Sequence, residues 1–215
     1  LICASNENKV LADFFETGVY DINRPFYMTE APSMDILISS NFERFLYYLT
    51  GSAEQVRESM DRLKKEGKYE VSKETFAKAD MEMMGGWASP EDMSHAMSEV
   101  YENYDYLMDP HTAVAYAVYD HLRREGEIPR HSHTVIISTA HPYKFPGVVA
   151  KALGLKEMES PYDTLREIAD KTGIPVPKQL GELENRPKRF METVDRKDMA
   201  DTIRSYADEI CGSSH

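Results

Sequence analysis

The sequence has little cysteine, little tryptophan and no long apolar run. Of its 215 residues two are cysteine, Cys3 and Cys211, and one is tryptophan. Two thiols near opposite ends without a CxxC spacing argue against a disulfide framework and against a cysteine metal site. No apolar run approaches the roughly 20 residues of a membrane-spanning helix, and no signal peptide is visible. We therefore expect a cytoplasmic protein with reduced thiols and no membrane partner.

Positive charge is also scarce. The chain has 25 Lys and Arg against 37 Asp and Glu, which gives a net charge of −12. Nucleic-acid binding requires an excess of basic side chains, so no nucleic-acid partner is expected. A small anionic ligand stays compatible with this charge, because a local cluster of donors outweighs a distant negative surface. The length and the 41% hydrophobic content fit a single domain over 1–215.

The order of predicted elements favours an α/β fold, in which helices surround a mostly parallel sheet. A short strand over 1–4 is followed by a helix over 6–17 that ends at Gly18. Ser33 suits the N-cap of a long helix over 34–49. Gly85-Gly86 predicts a turn. Such a sheet would be incomplete by itself, and its exposed edges would favour association.

The best candidate site follows a predicted buried strand. The apolar run Val135-Ile136-Ile137 indicates a parallel strand over 134–138, with a helix after Pro146. Between them lies Ser138-Thr139-Ala140-His141-Pro142-Tyr143-Lys144-Phe145, which holds hydroxyl, imidazole and ammonium groups. Ligands of open α/β sheets bind at the carboxyl ends of such strands. A turn histidine at His141 and a solvated lysine at Lys144 are equally compatible with the pattern.

Two predicted helices carry further candidates. On the helix over 34–49, Asn41 projects to the edge of the apolar stripe and is expected to be partly buried, with Arg44 further round.

Asp109 and Pro110 are an N-cap and an N1 residue and account for a helix start by themselves. His111 then lies in a first turn that favours an anion, although an exposed histidine beside a plain cap explains the pattern equally.

Three segments of the chain resemble threonine synthase, an enzyme that uses pyridoxal 5′-phosphate (PLP). They are PSMDILISSNFERF (32–45), DPHTAVAYAVY (109–119) and STAHPYKF (138–145), and they occur in the family's order. The opening LICASNENKV (1–10) is similar as well. The resemblance covers nearly the whole chain and implies part of a tryptophan-synthase-β-like architecture, known as fold type II.

The resemblance also implies a function in threonine biosynthesis. The whole enzyme is a lyase that converts O-phospho-L-homoserine and water to L-threonine and phosphate. In this family a hydroxyl faces the pyridine nitrogen, so the resemblance makes Thr139 the candidate for this contact and Ser138 the second choice. Asn6 is a weaker cofactor candidate. The candidates for binding the phosphorylated substrate are Ser39, Ser40, Asn41, Arg44, His111 and Lys144.

Two family features have no counterpart in the chain. No lysine has the context of the lysine that forms a Schiff base with PLP, and the glycine-rich phosphate loop is absent. We therefore expect the carboxyl-terminal part of a longer protein, with no catalytic residue of its own, no activity alone, and the upstream half of the enzyme as its partner. The sequence does not set an oligomeric state.

Other functions remain open at this point. A non-catalytic α/β module that binds an anion fits the same basic residues, and so does another PLP-dependent lyase of the same fold. His131, His133 and His141 match no strong zinc spacing, so no metal is expected.

Overall fold

The computed structural model describes residues 1–156, 158–189 and 191–212. Within these residues it has four strands and ten α-helices. In chain order they are β1 (Ile2–Ser5), α1 (Val10–Thr17), β2 (Val19–Asp21), α2 (Phe42–Thr50), α3 (Ala53–Glu66), β3 (Lys68–Glu70), α4 (Lys73–Glu82), β4 (Met84–Trp87), α5 (Pro90–Tyr104), α6 (Pro110–Glu125), α7 (Pro146–Ala152), α8 (Pro161–Thr172), α9 (Lys178–Gly181) and α10 (Met199–Gly212).

The centre of the fold is a parallel pair of strands between two helices. β1 pairs with β4, from Ile2 opposite Met84 onward. Gly85 and Gly86 lie inside β4, so the turn expected there is wrong. A Cβ at Gly85 would lie 2.8 Å from the Ala12 carbonyl oxygen of α1, and one at Gly86 would lie 2.5 Å from Val118 Cγ1 of α6. The two glycines therefore let α1 and α6 approach opposite faces of the strand.

A second pair of strands is antiparallel and carries an aromatic core. β2 pairs with β3, and the rings of Tyr20 and Tyr69 stack with centroids 5.3 Å apart. Phe14 of α1 and Phe42 of α2 meet edge to face, 4.7 Å apart, against the same cluster. The α/β class is thus confirmed, with one parallel and one antiparallel strand pair among the described residues.

The long helix expected over 34–49 begins only at Phe42, and a 3-10 turn occupies Pro32–Met34. Ser33 is therefore not the N-cap of a long helix. The cause is competition from polar tertiary contacts. The N–H of Ser33 donates to a histidine ring far along the chain, and the Asp35 carboxylate accepts from Thr29, so both groups are used outside a helix.

The strand expected over 134–138 is wrong. These residues are irregular, and the side chains of Val135 and Ile137 are 81% and 70% exposed. A strand requires hydrogen bonds from a neighbouring strand. Among the described residues β1 pairs with β4 and β2 with β3, which leaves 134–138 without one. The helix predicted after Pro146 is present as α7.

The chain divides into two compact units, Leu1–Pro177 and Lys178–His215. The first contains all four described strands and α1 to α8. The second contains α9 and α10, and none of the described residues of α10 is buried. A single domain over 1–215 stays a prediction. Among the described residues, no helix is both long enough and apolar enough to cross a membrane.

Candidate active site

The amino end of α6 carries a fully buried carboxylate. Asp109 is the N-cap, as the sequence predicts, and its side chain is 0% exposed. Its Oδ1 accepts from the backbone N–H of His111 at 3.0 Å and of Thr112 at 3.4 Å. The hydroxyl of Thr112 donates to Oδ2. The carboxylate is thus held by donors of the first helical turn.

His111 is buried, with 4% of its surface exposed, and both of its ring nitrogens are used. The N–H of Ser33 donates to Nε2 at 3.1 Å, and Nδ1 lies 2.9 Å from Asp109 Oδ1. Since Nε2 accepts, the ring proton must be on Nδ1, which donates to Asp109. The ring also packs against Phe145, with centroids 5.0 Å apart. His111 therefore joins the segments 32–45, 109–119 and 138–145.

The hydroxyls expected to face a cofactor are both exposed. Ser138 Oγ lies 3.2 Å from Thr112 Oγ1, which connects it to the buried carboxylate. The side chain of Thr139 makes no hydrogen bond within the described residues. Lys144 is exposed at the end of a 3-10 turn, in which His141 Nδ1 accepts from the N–H of Tyr143 at 3.3 Å.

Asn6 is buried and its side chain is used by the protein. Its Nδ2 donates to Thr29 Oγ1 at 2.9 Å and to Asp35 Oδ1 at 2.7 Å, and its Oδ1 accepts from the N–H of Asn8. Asn8 Nδ2 donates to the same oxygen of Asp35 at 3.1 Å. We call these four residues the Asp35 cluster. Sequence analysis missed it, because the residues that Asp35 joins lie up to 29 positions away.

The substrate candidates near α2 are in a different environment. The N–H of Ser39 donates to the Tyr20 hydroxyl at 2.9 Å. Burial raises the pKa of this phenol, and the bond from Ser39 opposes that rise. Ser40 and Asn41 are exposed just before the helix, so the burial expected for Asn41 is wrong. Arg44 is exposed and has no ionic partner within the described residues.

Six of the predicted residues thus fall into two groups. Ser138 and His111 belong to the network of Asp109, whereas Ser39, Ser40, Asn41 and Arg44 precede or begin α2. Within residues 1–156, no hydrogen bond links the four residues near α2 to Ser138 or to the His111 ring.

No group of three or more His, Cys, Asp or Glu side chains in the described part of the chain is arranged to hold a metal ion. The first group offers a hydroxyl beside a buried carboxylate, and the second offers a cation for an anionic ligand.

Comparison with known proteins identifies the sequence family. The family model "Threonine synthase, C-terminal" matches residues 112–205. Threonine synthase of Saccharomyces cerevisiae is 34% identical over 167 residues, which cover 71% of this chain and 32% of that protein. Threonine synthase of Pseudomonas aeruginosa is 37% identical over 153 residues, with the same shares. Human threonine synthase-like 1 is 37% identical over 159 residues, which cover 73% of this chain and 21% of that protein.

Solved structures agree with the sequence matches. Yeast threonine synthase superposes with a TM-score of 0.81 at 30% identity, over 97% of this chain and 42% of that one. PLP-bound threonine synthase from Brucella melitensis superposes with a TM-score of 0.75 at 30% identity, over 95% of this chain and 40% of that one. The chain thus spans less than half the length of the proteins it matches. The resemblance expected from the sequence is confirmed: in sequence and in fold this chain corresponds to the carboxyl-terminal part of threonine synthases.

Proposed function

We propose that this chain supplies the carboxyl-terminal part of a PLP-dependent threonine synthase. The complete enzyme would convert O-phospho-L-homoserine and water to L-threonine and phosphate. The observation that carries the proposal is the meeting of three family-like segments at one buried imidazole: Ser33, Asp109 and Phe145 all contact His111. Polar groups from distant segments are buried together at a cost, and such networks are found at functional sites.

The hydroxyl groups of Ser138 and Thr139 fit the ring nitrogen of the cofactor. Ser138 and Thr139 are exposed, and Ser138 is held by Thr112, so a hydroxyl is available in a fixed place. Bound PLP supplies an electron sink for carbanion chemistry, which no side chain can replace. The amide of Asn6 donates to Thr29 and Asp35, and we propose that Asn6 holds the loop beside the site.

Arg44 is the candidate for the substrate phosphate. It lies in the first turn of α2, where the backbone amides and the helix dipole already favour an anion. Its guanidinium forms two parallel charge-assisted bonds to a phosphate, and no carboxylate within the described residues occupies it. Ser40 and Asn41 lie just before the same helix end. Lys144 supplies a second exposed ammonium.

The remaining functions require the upstream half of the enzyme. No lysine in the chain has the context of the Schiff-base lysine, and no glycine-rich phosphate loop is present. Covalent capture of the cofactor is therefore assigned to the upstream half of the enzyme, and this chain alone is expected to be inactive. Sequence matches that cover a third or less of the named threonine synthases support this assignment.

The proposal is tested by measuring phosphate release from O-phospho-L-homoserine with PLP present. We expect none from this chain alone and clear release when it is mixed with the upstream half. In that mixture Arg44→Ala is expected to raise KM at least about tenfold, because an ion pair with phosphate is lost. Arg62→Ala is the matched control, since Arg62 is also exposed and unpaired among the described residues. No release from the mixture contradicts the proposal.

A non-catalytic anion-binding module is the second candidate. Arg44 and Lys144, which have no ionic partner within the described residues, favour it. Calorimetric titration of this chain with O-phospho-L-homoserine and with homoserine separates the two candidates: phosphate-dependent binding together with an inactive mixture would favour the module.

A further inference from the structure

The last helix of the second unit has an apolar face that the described residues of that unit leave exposed. Along α10 four apolar side chains are spaced four, three and four positions apart: Met199, Ile203, Tyr206 and Ile210. At 100° per residue they fall within a sector of about 60°. We call these four residues the α10 stripe. Their exposed fractions range from 44% to 73%.

The opposite side of α10 is polar. Asp201 and Asp208 project away from the α10 stripe, and the Asp201 carboxylate lies 2.8 Å from the guanidinium of Arg204. The helix therefore has one side suited to water and one side suited to an apolar surface. Because an isolated helix of 14 residues is only marginally stable in water, packing of the α10 stripe would stabilise it.

One side chain of the α10 stripe is already held in place within the second unit. The hydroxyl of Tyr206 donates to the carboxylate of Glu192, which lies 14 positions earlier in the chain. An aromatic side chain that is ordered before binding loses less conformational entropy when a partner packs against it. Tyr206 is therefore suited to be an anchor in an interface.

We propose that the α10 stripe is a docking surface for the upstream half of the enzyme. The inference rests on the proposed function, which assigns this chain to the carboxyl-terminal part. The superposition on yeast threonine synthase covers 97% of this chain, so only about six of the 215 residues lie outside it and at least half of α10 has a counterpart there. The matched part is 42% of the yeast chain, so most of that enzyme is surface that this chain lacks.

The small size of the α10 stripe argues against a second copy of this chain as its partner. The helix is about 21 Å long. The stripe spans one and a half heptads, whereas a coiled coil needs roughly three or more. A stable interface also buries about 800 Å² on each partner, more than one face of this helix offers. The upstream half would contact other surfaces of this chain as well, so the stripe would supply only part of that interface.

The first test identifies what lies against the α10 stripe. Ile203→p-benzoylphenylalanine places a photoreactive side chain in the stripe, and Asp208→p-benzoylphenylalanine places the same group on the opposite side as a control. Each variant is irradiated in a mixture with the upstream half, and mass spectrometry identifies the cross-linked peptides. We expect cross-links to the upstream half from position 203 and none from position 208. Cross-links from position 203 to a second copy or to residues 1–177, equal cross-linking from both positions, or no cross-link from position 203 overturns the inference.

The second test measures assembly through activity. This chain is titrated into a fixed amount of the upstream half with PLP and O-phospho-L-homoserine, and phosphate release is followed. Ile203→Ala is expected to raise the concentration for half-maximal activity at least about tenfold and to leave the rate at saturation unchanged, because apolar contact is lost only between the halves. Ser205→Ala, outside the stripe on the same helix, is the control.

The outcomes separate this inference from the proposed function. Equal half-maximal concentrations for Ile203→Ala and Ser205→Ala overturn the docking surface while the proposed function stands. Absence of phosphate release from every mixture contradicts the proposed function, and the cross-links from position 203 then decide the inference.

Discussion

The backbone N–H of Ser33 donates a hydrogen bond to Nε2 of His111, 78 residues later in the chain, over 3.1 Å. The other ring nitrogen contacts Asp109, so the imidazole bridges a 3-10 turn and the amino end of α6. Because a neutral imidazole has one donor and one acceptor, each nitrogen is restricted to one role. His111 therefore fixes the position of the segment 32–45 relative to α6.

Replacing this imidazole tests its role as a bridge. In His111→Phe an aromatic ring of similar shape remains, but the Ser33 N–H and the Asp109 carboxylate each lose a partner. We expect the free energy of unfolding to fall by about 2–3 kcal/mol, as for buried groups left unsatisfied. Urea unfolding followed by circular dichroism measures it. His95→Phe is the control, since His95 is exposed on α5; equal losses in the two variants would contradict the bridge.

The Asp35 cluster should stabilise the loop over 22–41 about as strongly as the His111 bridge stabilises the segment 32–45. Asp35→Ala removes the acceptor of Asn6, Asn8 and the Thr29 N–H. We expect the free energy of unfolding to fall by about 3 kcal/mol, because several part-buried donors lose their acceptor at once. Proteolysis within 22–41 should accelerate as well. Asp80→Ala, at an exposed position of α4, is expected to stay within about 0.5 kcal/mol.

Substituting either glycine of β4 creates a steric clash, and the two clashes should differ in how easily neighbouring atoms can move to relieve them. A Cβ at Gly85 meets the backbone of Ala12, whereas the three atoms nearest to one at Gly86 all belong to the Val118 side chain. We expect Gly85→Ala to lower the free energy of unfolding by about 2–3 kcal/mol and Gly86→Ala to cost less. Adding Val118→Ala should be less than additive with Gly86→Ala and additive with Gly85→Ala. Urea unfolding of the three single variants and the two double variants tests this. Additive losses of unfolding free energy in both double variants would refute it.

The capping box of α5 makes stability depend on pH. The Ser89 hydroxyl, and to a smaller extent its backbone N–H, hold the pKa of Asp92 below its usual value. The unfolded chain therefore binds this proton more readily, so the stabilisation is present above the unfolded-state pKa of about 3.9 and is lost as pH falls through the folded-state pKa.

The matched measurement is urea unfolding of the unaltered chain and of Asp92→Asn at several pH values. We expect the difference in unfolding free energy between them to be constant above about pH 5 and to shrink towards about pH 2. Asp80→Asn, without a hydrogen bond among the described residues, should show no such change. A difference that grows on acidification would reverse the sign and contradict the prediction.

The two thiols should react at very different rates. Burial raises the pKa of the Cys3 thiol to about 11, so at pH 8 only about one molecule in a thousand carries the reactive thiolate. Cys211 is exposed on α10. We expect iodoacetamide to modify Cys211 first, and Cys3 only after unfolding in urea. Peptide mass spectrometry after timed quenching reports both sites; equal rates in the folded chain would show that Cys3 is accessible.

Helix starts could be predicted from the sequence because their signals are local. Asp109 caps α6 where the sequence places it, through bonds to residues two and three positions away. The prediction of a long helix over 34–49 was wrong because the contacts that decide this segment are long-range. The groups of Ser33 and Asp35 that would start it are used by residues far along the chain, which no local pattern records.

By itself, the sequence determined the α/β class, the cap of α6 and the resemblance to threonine synthase, since each depends on residue types at short spacing. Only the tertiary structure decided that His111 is buried rather than exposed, that Asn6 is held by Asp35, and that Val135 and Ile137 are exposed. The physical reason is that burial and strand pairing depend on partners distant in the chain. An apolar run becomes a strand only where another strand offers its hydrogen bonds, and an imidazole takes its tautomer from the groups that surround it.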